Sequence, residues 1–77
     1  MDNMGKKRDR FVRIAGSRVN NILNTLDNLS KCSNKNNYDY SKEDITKMMA
    51  AIKEKVRTTE QSFSEELNRG IKNKFTF

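Results

Sequence analysis

The chain has no proline, no histidine and no tryptophan, and only one cysteine and three glycines in 77 residues. Each shortage removes a class of explanation. Without proline, and with so little glycine, few positions interrupt a helix. Without histidine, no hydroxyl or thiol has the usual base beside it, so the nucleophile–base pairs of acyl-transfer enzymes are missing. One cysteine and no histidine leave no credible zinc site within one chain, and Cys32 has no internal disulfide partner. No stretch approaches the ~18 consecutive apolar residues of a membrane span. The basic N-terminus is not followed by the apolar segment of a signal peptide. A lone thiol without an export signal points to the reducing cytoplasm, away from membranes.

What is present is helical and basic. Apolar and charged residues each make up 34% of the chain, a lean interior beside a rich surface. One domain of this size usually needs a disulfide, a metal or a partner chain for stability. With the first two absent, association remains. The formal net charge of +6 is unevenly spread. Residues 1–20 carry six basic side chains against two acidic ones, residues 21–40 balance, and the remainder is mixed with a small basic excess.

From Arg8 to Lys31 the apolar residues Val12, Ala15, Val19, Ile22, Leu26 and Leu29 alternate steps of three and four, the spacing of a single helical seam. Phe11, Ile14 and Leu23 widen that seam into a face. Residues 32–40 lose the period and collect turn formers, with Asn34 placed for the left-handed position that ends a helix. A second helix over 41–69 has a clear start. Ser41 and Asp44 form a capping box, Tyr40 can staple onto Ile45, and Glu43 and Asp44 suit the positive end of the helix dipole. Its seam is Ile45, Met49, Ile52, Val56, Thr59, Phe63 and Leu67, flanked by Met48 and Ala51. The β-branched pair Thr58-Thr59 is its weakest stretch, and Gly70 marks its expected end.

These elements predict an all-α fold: an antiparallel two-helix hairpin with a flexible basic arm at 1–7 and a tail at 70–77. Two such seams pack along one stripe and leave apolar surface over. Pairing two hairpins into a four-helix-bundle homodimer would cover it. The expected oligomer interface is Val12, Val19, Ile22, Leu26, Leu29, Ile45, Met49, Ile52, Val56 and Phe63. Met4, Met48 and Met49 read as core filler rather than an adaptable groove.

The candidate functional residues lie opposite the first seam. Arg10, Arg13, Ser17, Asn20, Asn24 and Asp27 repeat at the same spacing, displaced by about 200° around the axis. Lys6, Lys7 and Arg8 extend this stripe as the arm. Arginine, lysine, serine and asparagine on one exposed helical face suit phosphates and base edges, so nucleic acid (DNA or RNA) is the expected partner. An ordinary solvated face, rich in asparagine through AT-rich coding, accounts for the same residues, and Asp27 with the neutral midchain confines any basic surface to one end. Lys31, Lys35, Tyr38 and Tyr40 combine cations with aromatic rings as single-strand binders do, but a plain connector explains them better. Cys32 reads as a passive loop thiol. Glu65 and Glu66 point about 100° apart on a helix and are no acid–base pair. No enzyme, cofactor or metal is expected. A different class of function remains open, a protein-binding adaptor or inhibitor working through its apolar helical faces.

The run Arg10-Phe11-Val12-Arg13-Ile14-Ala15, continuing through Arg18-Val19-Asn20, is followed by Ser33-Asn34-Lys35-Asn36-Asn37-Tyr38 and Ser41-Lys42-Glu43-Asp44-Ile45. This pattern resembles a group of short basic helical proteins of plasmids, conjugative elements and phages of low-GC Gram-positive bacteria, over roughly residues 8–56. The Ser-Asn-Lys-Asn-Asn-Tyr stretch is its most distinctive part. The resemblance implies a context, in which such proteins are accessories to DNA transfer, replication or copy control, or inhibit host enzymes. It carries over no functional residue.

Overall fold

The computed structural model describes residues 3–72, with side chains described over residues 5–69. Every described regular element is helical. Helix α1 spans Asn3–Ser30, a single 3-10 turn covers Lys31–Ser33, and helix α2 spans Lys42–Lys72. The chain divides into two units, Met1–Asp39 and Tyr40–Phe77, each built on one long helix.

In the first unit, α1 begins well before the apolar periodicity does. Lys6 and Lys7 belong to the helix, not to a flexible arm ahead of it. Lysine and arginine are good helix formers, so once a turn is nucleated the polar stretch from Lys6 to Arg10 prolongs it at little cost. An apolar repeat cannot register that extension. The first turn of α1 contains no acid and its last turn no base. Ser30 lies at the end of the helix, where its hydroxyl donates to the Asp27 carbonyl at 2.7 Å.

The helix does not end on a left-handed residue as expected. Asn34 is extended, with φ −67° and ψ 107°, and no described residue has positive φ. The Asn34 side chain instead starts a turn beyond the helix. Its Oδ1 accepts the Asn36 amide at 2.9 Å, while its carbonyl accepts the amides of Asn37 at 3.1 Å and Tyr38 at 3.0 Å. A side chain mimicking a backbone turn is a common use of asparagine, and here it redirects the chain without strain.

In the second unit, the start of α2 is closed reciprocally. The Asp44 amide donates to Ser41 Oγ at 3.1 Å, and the Ser41 amide donates to Asp44 Oδ2 at 2.9 Å. The Ile45 amide then donates to the Ser41 carbonyl at 3.2 Å, the first bond of the helix. Ser41 is thus the cap and Lys42 the first helical residue. We expect Ser41→Ala to destabilise the fold by about 1 kcal/mol, and Ser41→Asn, an equally good cap, to leave it unchanged. Urea denaturation followed by circular dichroism measures both, and equal midpoints for Ser41→Ala and the parent would contradict the assignment.

Three hydroxyls in the β-branched region of α2 donate back to its own backbone, Thr58 to Lys55, Thr59 to Lys55 and Ser62 to Thr58. These bonds accommodate the weak stretch without interrupting it. The helix also runs past Gly70 to Lys72, where an end near 69 was expected. A glycine costs a helix interior about 1 kcal/mol relative to alanine, but it stops a helix only when its backbone turns left-handed. Of the expected tail, 70–72 is helical, and residues 73–77 lie outside the described residues. So do Met1 and Asp2, and the side chain of Met4.

Apolar residues gather on one side of each helix, but none of the described ones is buried. At 100° per residue, those of α1 from Ile14 round to Leu23 fill an arc of about 180°, whereas the seam of α2 with Met48 fills about 100°. Ile14, Ala15 and Leu29 on α1, and Met49 and Ile52 on α2, are half-buried. Val19, Ile22 and Phe63 keep 50%, 57% and 55% of their surface exposed. Fully burying side chains of this size stabilises by roughly 1.5–3 kcal/mol each, so both faces hold a large reserve of unrealised free energy.

Candidate nucleic-acid interface

The eight residues expected to meet nucleic acid, Lys6, Lys7, Arg8, Arg10, Arg13, Ser17, Asn20 and Asn24, all lie in α1 and are all exposed. Their common helix decides which of them act together. Lys6, Arg10, Arg13, Ser17, Asn20 and Asn24 fall within an arc of about 80°, opposite the apolar face, over a length of about 27 Å. Asn28 shares this arc. Stepping from Asn24 to Asp27 by three passes over it, while a step of four from Asn24 would have found it.

Lys7 and Arg8 leave the stripe. Being helical, they project about 60° beyond its edge and about 160° from its middle, respectively. Arg8 lies on the apolar side, with its guanidinium carbon 5.9 Å from the centroid of the Phe11 ring. That distance is at the limit of a cation–π contact, which keeps the charge over an aromatic face and off the polar stripe.

Charge is organised differently on the two helices. In α2, Arg57 donates from Nε and Nη2 to the two carboxylate oxygens of Glu54, at 3.1 and 2.7 Å. Arg69 pairs with Glu66 at 3.0 Å, and Gln61 donates to Glu65 at 3.3 Å. Among the described residues, no ion pair engages Lys6, Lys7, Arg10, Arg13 or Arg18 of α1. The carboxamides of Asn20 and Asn24 and the hydroxyl of Ser17 likewise have no hydrogen-bond partner among them. By contrast, the Thr25 hydroxyl on the same helix returns to the Asn21 carbonyl at 2.7 Å. The stripe therefore presents cations and amides whose bonding capacity is unspent within the described chain. Asp9 and Asp27 sit about 60° from its middle, near one edge.

The Arg57 hydrogen bonds hold the Glu54 carboxyl below its ordinary value of 4.5, and the carboxylate holds the Arg57 guanidinium above its own. The sign follows directly. A carboxyl whose folded pKa is lowered adds stability that is complete above its ordinary pKa and is lost as pH falls through the lowered one. The solvent exposure of both side chains keeps that contribution small. We expect Arg57→Ala to return the Glu54 titration, followed by NMR, toward 4.5, and an unmoved midpoint would rule the pairing out in solution.

The described residues hold no group of three or more histidine, cysteine or acidic side chains able to hold a metal ion. Cys32 is an exposed free thiol. No described helix is long and apolar enough to cross a membrane. Compared with protein-family models, with curated proteins and with solved structures, the chain matches none.

Proposed function

We propose that the protein is a small basic nucleic-acid-binding protein that contacts the phosphate backbone through Lys6, Arg10 and Arg13 of α1. The observation that carries this reading is the exposed stripe itself, whose cations pair with no acid among the described residues while the arginines at 57 and 69 of α2 are paired. Cations held along one side of a helix reach successive phosphates with their backbone already ordered, so that only the side chains lose freedom on binding.

The assembly we propose for it is a dimer of antiparallel hairpins, packed as a four-helix bundle. What supports it is the mismatch of the apolar arcs: α2 is too narrow to cover the wide face of α1, so a second copy supplies the missing surface. The dimer would carry two α1 stripes and so two sets of phosphate contacts. Its setting would be a mobile genetic element, as an accessory to DNA transfer, replication or copy control, which the resemblance of residues 8–56 to plasmid and phage proteins favours.

Fluorescence anisotropy of labelled random-sequence DNA and RNA across a salt series tests the function. Binding that weakens steeply with salt is expected, because neutralised phosphates release counterions. Binding that is absent or indifferent to salt would overturn it.

The exposed apolar faces, with Val19 and Ile22 half in solvent, favour a second reading, an adaptor or inhibitor that docks them on a larger protein. Recovery of one stoichiometric protein partner in nuclease-treated pull-downs, from a chain that is monomeric alone, would favour that reading over the first.

A further inference from the structure

The stripe on α1 differs along its length. Cations occupy its N-terminal half at Lys6, Arg10 and Arg13, and neutral polar groups its C-terminal half at Ser17, Asn20 and Asn24. Phosphates need only the first set. Resting on the nucleic-acid reading above, we propose that the polar face of α1 enters the major groove of B-form DNA, where Asn20 and Asn24 read base edges.

Three observations select this target among nucleic acids. The first is shape. α1 is an uninterrupted helix of 28 residues, and Lys6, Arg10, Arg13, Ser17, Asn20 and Asn24 share one arc of about 80° on it. The major groove of B-DNA, about 12 Å wide, admits such a helix, whereas the deep, narrow major groove of duplex RNA does not.

The second is the absence of a stacking platform. Single strands are held by aromatic rings beside a basic groove. The described stripe holds none. Phe11 is about 140° away around the helix, and Tyr38 and Tyr40 lie outside α1.

The third is the state of the asparagines. Both carboxamides are exposed and without a partner among the described residues, so each offers its donor and acceptor to a ligand. An asparagine amide matches the N6 and N7 edge of adenine as a bidentate pair. Asn20 and Asn24 stand about 6 Å apart along the helix axis, close to two base steps of about 3.4 Å each. A helix lying along the groove would therefore place them on adenines two steps apart.

The full-length protein, the three nucleic acids as labelled probes (random-sequence DNA duplex, RNA duplex and single-stranded DNA) and a randomised duplex library provide the test. We expect the DNA duplex to bind about tenfold or more tightly than either other probe at equal salt. Selection from the library should enrich duplexes with adenines two steps apart. In Asn20→Ala/Asn24→Ala the preference for the selected over the random duplex should fall about tenfold or more, since each bidentate pair gives at least several-fold discrimination. Alanine favours the helix, so circular dichroism should show α1 intact in this variant. Equal or tighter binding of the RNA duplex or single strand overturns the inference. So does selection without enrichment, or a double variant that keeps the wild-type preference. Salt-sensitive binding in any of these cases leaves the broader reading standing. Salt-insensitive or absent binding to all three probes removes both.

Discussion

Replacing Lys6, Arg10 and Arg13 with alanine is expected to remove salt-sensitive binding to a random-sequence DNA duplex. The reasoning is electrostatic. The proposed dimer would present each of these cations twice, so as many as six phosphates would be neutralised. Six contacts make the wild-type affinity fall about 10³-fold between 50 and 200 mM salt. Each lost contact flattens the logarithmic salt dependence by about 0.9, so the triple variant should show almost no slope. Alanine is the best helix former, which leaves the helical signal unchanged or raised and separates loss of binding from loss of fold.

Arg8→Ala provides the internal contrast. Its guanidinium lies by the Phe11 ring on the apolar side of α1, so this single variant should retain the wild-type slope. A triple variant that keeps its steep salt dependence, or an Arg8→Ala protein that loses it, would refute the placement of the stripe.

The second large effect concerns assembly. Ile22→Asp in α1 and Ile52→Asp in α2 should each convert the protein to a monomer with little cooperative structure. An unpaired carboxylate in an apolar interface loses several kcal/mol of solvation, and small domains possess only ~5–15 kcal/mol in total. For the wild type, a folded dimer requires a melting midpoint that rises with protein concentration. Asn68→Asp, about 145° around α2 from the middle of its seam and already exposed, should leave both the mass in light scattering and the melt unchanged. A wild-type midpoint independent of concentration would refute the dimer. So would a monomeric mass that Ile22→Asp does not alter.

The parts of the fold legible in the sequence are those whose causes are local. The capping box needs only Ser41 and Asp44, three residues apart, and both of its bonds form. The membership of the polar stripe follows from a period, and any helix over these residues puts Arg13, Ser17, Asn20 and Asn24 on one side.

The misreadings share a different origin. Lys6 and Lys7 fall outside the apolar repeat and so read as a flexible arm, but a helix is propagated by its backbone and can outrun its apolar face. Once the arm is helical, direction matters, and Arg8 turns away from the residues it was grouped with. At Asn34 two uses of one side chain compete. The left-handed cap needs only its backbone, while the observed turn uses its carboxamide to catch the Asn36 amide. The conformational freedom of Gly70 points to a stop, yet freedom to turn is no obligation to do so.

The absence of positive φ among the described residues has a consequence for how this sequence can drift. No described position is reserved for glycine by its backbone, and a side chain at Gly16 would meet nothing within 4 Å. Conformation therefore exerts little veto over substitution, provided proline is avoided. Tolerance is set by the direction in which each residue points. Saturation mutagenesis of α1 should trace a wave with the period of the helix, apolar demand on one side and polar demand on the other. Between those two maxima, near Gly16 and Asn21, lie the positions freest to vary.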